Sequence, residues 1–134
     1  MATVSDYLRD GLRLTGIIGE NDPVSAEQGA DGLLVFNSLI GHLRGNGIEL
    51  GLAPQSSSTA TVLVPEEDRL SFKYLLAVFL CHNYGREPSA MVAGIADGGF
   101  KRMLRRAVYA KAVENNAAIP LGDSVSYYGD FYNG

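Results

Sequence analysis

The sequence predicts an all-α protein: a four-helix bundle with a long loop or small hairpin between helices two and three, and an extended C-terminal tail. Three observations lead there. Apolar residues recur at three- and four-residue spacing through four stretches, capping signatures open those stretches, and glycine-containing turns close them. A chain of 134 residues, 46% hydrophobic and 19% charged, is of single-domain size and rich enough in apolar residues to build one core.

The first helix is announced by Thr3 with Asp6 three positions on, a capping pair, and by Val4, Tyr7, Leu8, Gly11 and Leu12 along one face; Gly16 stops it. A linker, Ile17 to Val24, carries the turn run Asn21, Asp22, Pro23. Ser25 and Gln28 then form a second capping box. On the second helix the apolar stripe is Ala30, Leu33, Phe36 or Asn37, Ile40 and Leu43, ended by Gly45, Asn46 and Gly47. From Ile48 to Val64 short apolar pieces flank a polar tract and β-branched residues cluster, which reads as a long loop or a small hairpin.

Pro65, Glu66, Glu67 and Asp68 start the third helix, because proline suits a first turn and acids complement the positive end of the helix dipole. Leu70, Tyr74, Ala77, Cys81 and Tyr84 form one stripe, but Phe72, Leu75, Leu76, Val78 and Phe79 make the other faces apolar too. A helix apolar all round belongs at the centre of a bundle or in a contact between subunits. Gly85 closes it, and Ser89 caps a fourth helix running to about Asn115, with Val92, Ile95, Gly99, Met103, Ala107, Ala110 and Glu114 on its inner face. The adjacent Gly98 and Gly99 weaken it locally, each costing about 1 kcal/mol against alanine. Periodicity ends after Asn116, so residues 1–116 form the bundle and 117–134 the tail.

Composition narrows the function. A net charge of −4 argues against general polyanion binding. The single cysteine, Cys81, has no partner for an intramolecular disulfide. Met1 to Asp10 lacks the apolar run of a secretory leader, and no stretch is long and apolar enough to span a membrane. Catalytic inventory is thin. His42 and His82 are two ligands where zinc takes three or four, a cysteine in an apolar helix is ordinarily core, and the glycines of 41–47 lack a phosphate-loop ending. Neither an enzyme nor a cofactor or metal site is expected.

Two features stand out. Lys101, Arg102, Arg105, Arg106 and Lys111 lie on the fourth helix with no acid between Asp97 and Glu114, a basic face suited to an anionic partner or to the helix dipole. Tyr127, Tyr128, Phe131 and Tyr132, beside Asp130, crowd the last eight residues of the sequence. Aromatics anchor protein interfaces, so this segment reads as a docking peptide; the alternative is that it folds back on its own bundle.

The order of parts resembles the head-to-tail adaptor family of short-tailed phages, also called tail accessory factors or packaged-DNA stabilisation proteins. The resemblance rests on Tyr7-Leu8-Arg9-Asp10-Gly11-Leu12-Arg13-Leu14-Thr15-Gly16, Pro23-Val24-Ser25-Ala26-Glu27-Gln28, Gly45-Asn46-Gly47-Ile48 and Tyr84-Gly85-Arg86-Glu87-Pro88-Ser89. It covers nearly the whole chain, but Leu43-Arg44-Gly45 stands where the family often has a tryptophan. The resemblance implies a virion protein of the head-tail junction, made in the host cytoplasm, that binds under a dodecameric portal protein and forms a ring of its own. It further implies help in retaining DNA, contact with a downstream tail or nozzle protein, and insertion of the segment 117–134 into the portal. It leaves the basic face to the portal or to non-specific contact with packaged DNA. The rival expectation is a small helical regulatory protein that reads DNA with its basic fourth helix.

Overall fold

In the computed structural model, which describes residues 2–118, the chain is all-α: α1 (Val4–Thr15), α2 (Ala26–Gly45), α3 (Arg69–Asn83) and α4 (Ala90–Ala118). Local chemistry sets the first two starts. Thr3 Oγ1 accepts the Asp6 N–H at 3.2 Å while the Asp6 carboxylate accepts the Thr3 N–H at 2.9 Å, and Ser25 and Gln28 make the same reciprocal pair at 3.1 and 3.0 Å. Gly16, at φ 73°, and Gly85, at φ 68°, take left-handed conformations that end α1 and follow α3.

The third helix begins later than its acidic run predicts. Glu66–Asp68 form a single 3-10 turn behind Pro65, and α3 proper starts at Arg69. Asp68 makes no capping bond, because its carboxylate is turned towards α4.

Tyr7, Phe36 and Phe72, one from each of the first three helices, form the core: Tyr7–Phe72 and Phe36–Phe72 meet edge-on at 5.5 and 5.4 Å between centroids. Tyr7 beside Phe72, and Gly11 beside Leu76 and Leu80, set α1 and α3 running in the same direction. Close approach is made by glycine. A Cβ on Gly32 would lie 2.8 Å from a Leu8 methyl, and one on Gly99 would lie 3.2 Å from Ser71 Cα and nearer still to its Cβ. Gly99 is therefore the crossing point of α3 and α4, which run antiparallel, while Gly98 faces open space.

Residues 48–64 form no hairpin; their only bridge pairs Thr61 with Thr3. They make a strap held by three kinds of contact. Ile48, Leu50, Val62 and Val64 are buried. Ala60 and Ser58 carbonyls accept the N–H groups of Val4 and Ser5, which the first turn of any helix leaves without an intrahelical partner. Asn37 exchanges two bonds with the Gln55 backbone, at 2.9 and 2.7 Å. The ambiguity at 36–37 thus resolves: Phe36 is core and Asn37 is a latch.

Helix α4 rests mainly on α3 through Val92, Ala96, Gly99 and Met103. Among the described residues its core contacts end at Ala107, and Ala110 and Glu114, expected on the inner face, are exposed along an open groove beside Gly47–Glu49, because the helix runs past the start of α3. No helix among the described residues is long and apolar enough to cross a membrane.

Candidate functional site

Three segments meet around the basic part of α4: α4 itself, the turn before α3, and Gly47–Glu49 after α2. Antiparallel packing of α4 on α3 brings Arg106 over the 3-10 turn, where its Nη2 lies 2.7 Å from both Asp68 oxygens, with Glu67 further off at 4.0 Å. The Asp68 side chain is 2% exposed and that of Arg106 is 46% exposed. The hydrogen bond that Arg106 donates to Asp68 holds its guanidinium above its ordinary pKa, against the opposing effect of burial. One turn back, Arg102 Nη2 donates to Ser71 Oγ at 2.8 Å.

The five basic residues therefore divide. Arg102 and Arg106 fasten α4 to α3. Lys101 pairs on the surface with Asp97 of its own helix at 2.9 Å, a contact worth well under 1 kcal/mol. Arg105 and Lys111 are exposed and have no ion-pair partner among the described residues. Lys111 borders an open groove of about 620 Å³ between α4 and Gly47–Glu49, floored by Ile48, Met103 and Ala107.

Sequence periodicity missed the bare apolar surface beside these charges. Val108 is 62% exposed and Tyr109 71%, and Val113 is nearly half exposed. The signal was present in the sequence, since Val108, Tyr109 and Val113 fall off the Val92–Met103 stripe, but it acquires meaning only once α4 is seen to outrun α3. Tyr127, Tyr128, Asp130, Phe131 and Tyr132 lie outside the described residues.

The catalytic candidates do not assemble. His42 stacks on Phe100 and tilts against Phe79, with centroids 5.5 and 5.4 Å away, whereas His82 is exposed at the end of α3. Burial pushes the Cys81 thiol pKa up, which lowers its thiolate fraction. Among the described residues no three His, Cys, Asp or Glu side chains are grouped to hold a metal. A cavity of about 270 Å³ between Tyr7, Asp10, Arg69 and Lys73 has its charges engaged: Lys73 meets Asp10 at 3.1 Å and Arg69 donates to the Val64 carbonyl.

No protein-family model, curated protein or solved structure matches this chain.

Proposed function

We propose that this chain is a head-to-tail adaptor of a short-tailed phage, a virion protein that binds beneath the portal after genome packaging, forms a ring, helps retain DNA and receives tail components. The observation that carries the reading is the overhang of α4. Past Ala107 the residues Val108, Tyr109 and Val113 are exposed and the helix makes no core contact among the described residues, and it leads into the sequence that holds Tyr127, Tyr128, Phe131 and Tyr132. Exposed apolar and aromatic surface of this kind is what a subunit needs to dock on a larger assembly. The resemblance along the sequence supplies the identity of that assembly.

The regulatory DNA-binding reading fits less well. Arg102 and Arg106 already hold Ser71 and Asp68, so a DNA-reading α4 would have to release the contacts that fasten it.

The test mixes full-length protein, and a version truncated after Ala118, with purified short-tailed-phage portal, followed by negative-stain imaging of the rings. The full chain is expected to add a ring to the portal and the truncated chain to stay folded but unbound. Equal binding by both would remove the tail from the mechanism. A salt-dependent shift of short duplex DNA, with no portal binding, would favour the regulatory reading.

A further inference from the structure

Two outward stripes of this molecule share one spacing and carry opposite charge. On α2 the stripe is Glu27, Asp31, Leu34 and Ser38; on α4 it is Lys101, Arg105, Val108 and Ala112. Each steps by four, three and four residues, the spacing that keeps side chains on one face of a helix. On α4 this is the side away from α3, and all four residues are exposed. On α2 only Asp31 is half-buried, and Leu34 is 69% exposed.

Within one subunit neither stripe faces the other: each lies opposite its own helix's buried side, Gly32, Phe36, Leu39 and Leu43 on α2 and Val92, Ala96, Gly99 and Met103 on α4. Glu27 and Asp31 have no ion-pair partner among the described residues, and Arg105 has none either.

We infer that α4 of one copy docks alongside α2 of the next, the two helices parallel, with Lys101 facing Glu27, Arg105 facing Asp31 and Val108 facing Leu34. A parallel register puts charge on opposite charge and Leu34 on Val108, whereas an antiparallel one can match the charges, Glu27 with Arg105 and Asp31 with Lys101, but then sets Leu34 opposite Gly98 and separates it from Val108. A two-fold contact of α4 with α4, or α2 with α2, places like charges together, which specific interfaces avoid. A contact between two different faces is heterologous, and it propagates from copy to copy until it closes into a ring or continues as a filament. The contact rests on the adaptor reading for the ring it builds, but its readout requires no portal, so the two fail separately.

The test uses full-length protein alone, by sedimentation velocity at low and high salt. Glu27→Lys with Asp31→Lys makes both stripes basic; Lys101→Glu with Arg105→Glu makes both acidic. Wild type is expected to self-associate, more weakly in high salt, and each double variant to associate at least about tenfold less. An equimolar mixture of the two variants is expected to regain association, because every contact between unlike partners is then complementary. Circular dichroism confirms that the variants fold, and the neutral pairs Glu27→Gln with Asp31→Asn and Lys101→Gln with Arg105→Gln should weaken association to an intermediate degree. Wild type that stays monomeric in low salt, variants that associate like wild type, or a mixture that fails to recover would each overturn the contact, whatever the portal experiment shows.

Discussion

Replacing Arg106 with methionine removes the one hydrogen-bond partner that the Asp68 carboxylate has among the described residues. Methionine keeps most of the aliphatic bulk, so the change isolates the charge. Breaking a buried ion pair by deleting one member costs about 3–5 kcal/mol, because the other charge is left without compensation. That range assumes burial of both members, and here Arg106 is 46% exposed while Asp68 is 2% exposed. Water reaches the vacated side, which brings the expected loss to about 2 kcal/mol. Asp68→Asn keeps an acceptor for the guanidinium and should cost about 1 kcal/mol. The double variant should be less destabilised than the sum of the two, with a coupling of about 1 kcal/mol. Urea unfolding followed by circular dichroism gives all four stabilities, provided the slope stays constant. The raised pKa of Arg106 adds no pH dependence in the ordinary range, since a stabilising contribution of that sign is lost only as pH rises past the arginine value. Should Arg106→Met unfold within 0.5 kcal/mol of wild type, on the order of a mutation at an unremarkable surface position, the pair would not be what fastens α4 to α3.

The neighbouring glycines should respond oppositely to alanine. Gly99→Ala forces a Cβ into Ser71, and overpacking of about 1–3 kcal/mol outweighs a helix-propensity gain of about 1 kcal/mol; Gly98→Ala meets nothing and should stabilise by up to about 1 kcal/mol, both readable by thermal melts. Asp6→Asn tests the capping box. Its carboxylate pKa is lowered chiefly by the Thr3 backbone N–H, so the stabilisation is full above the ordinary aspartate value and disappears as pH falls through the folded value. The variant should be less stable than wild type by about 0.5 kcal/mol at neutral pH, and the difference should close in acid, as measured by melts across that window. Asn37→Ala should free the strap at Gln55, speeding hydrogen exchange of the Gln55 amide far more than that of the α2 core.

The helices were legible because their signals are local. Thr3 with Asp6 and Ser25 with Gln28 satisfy one another across three residues, and Gly16 and Gly85 end their helices by backbone conformation alone. What escaped was every feature that depends on a distant partner. Nothing in the run Glu66, Glu67, Asp68 distinguishes the third acid, yet Asp68 is the one buried against Arg106, 38 positions away. Gly99 falls on the predicted inner face and Gly98 does not, but that Gly99 must remain a glycine shows only once Ser71 is placed beside it. Residues 48–64 take the long-loop alternative of the sequence reading, and what the sequence left open was where their backbone groups find partners. They find them in Ala2 and in the first turn of α1 rather than in one another. Of the candidate site, the basic cluster was visible as composition, but its division into fastening and outward charges required the direction of α4 relative to α3.

That division bears on function through the like-charge pairs of α4. Lys101 with Arg105, and Arg102 with Arg106, each place two cations four residues apart, which disfavours an isolated helix by a few tenths of a kcal/mol per pair. The Arg102 and Arg106 pair is relieved inside the subunit, by Ser71 and Asp68. The Lys101 and Arg105 pair is not; Lys101 has only an exposed Asp97, and Arg105 has no ion-pair partner among the described residues. From Val108 to Glu114 the helix also makes no core contact among the described residues, and a helical segment so short is marginal in water without tertiary packing. Both deficits, uncompensated charge and uncovered apolar surface, fall on the same outward part of α4. An acidic and apolar partner surface docked there would offset both at once, a need that neither the histidines nor the cavity beside Tyr7 shares.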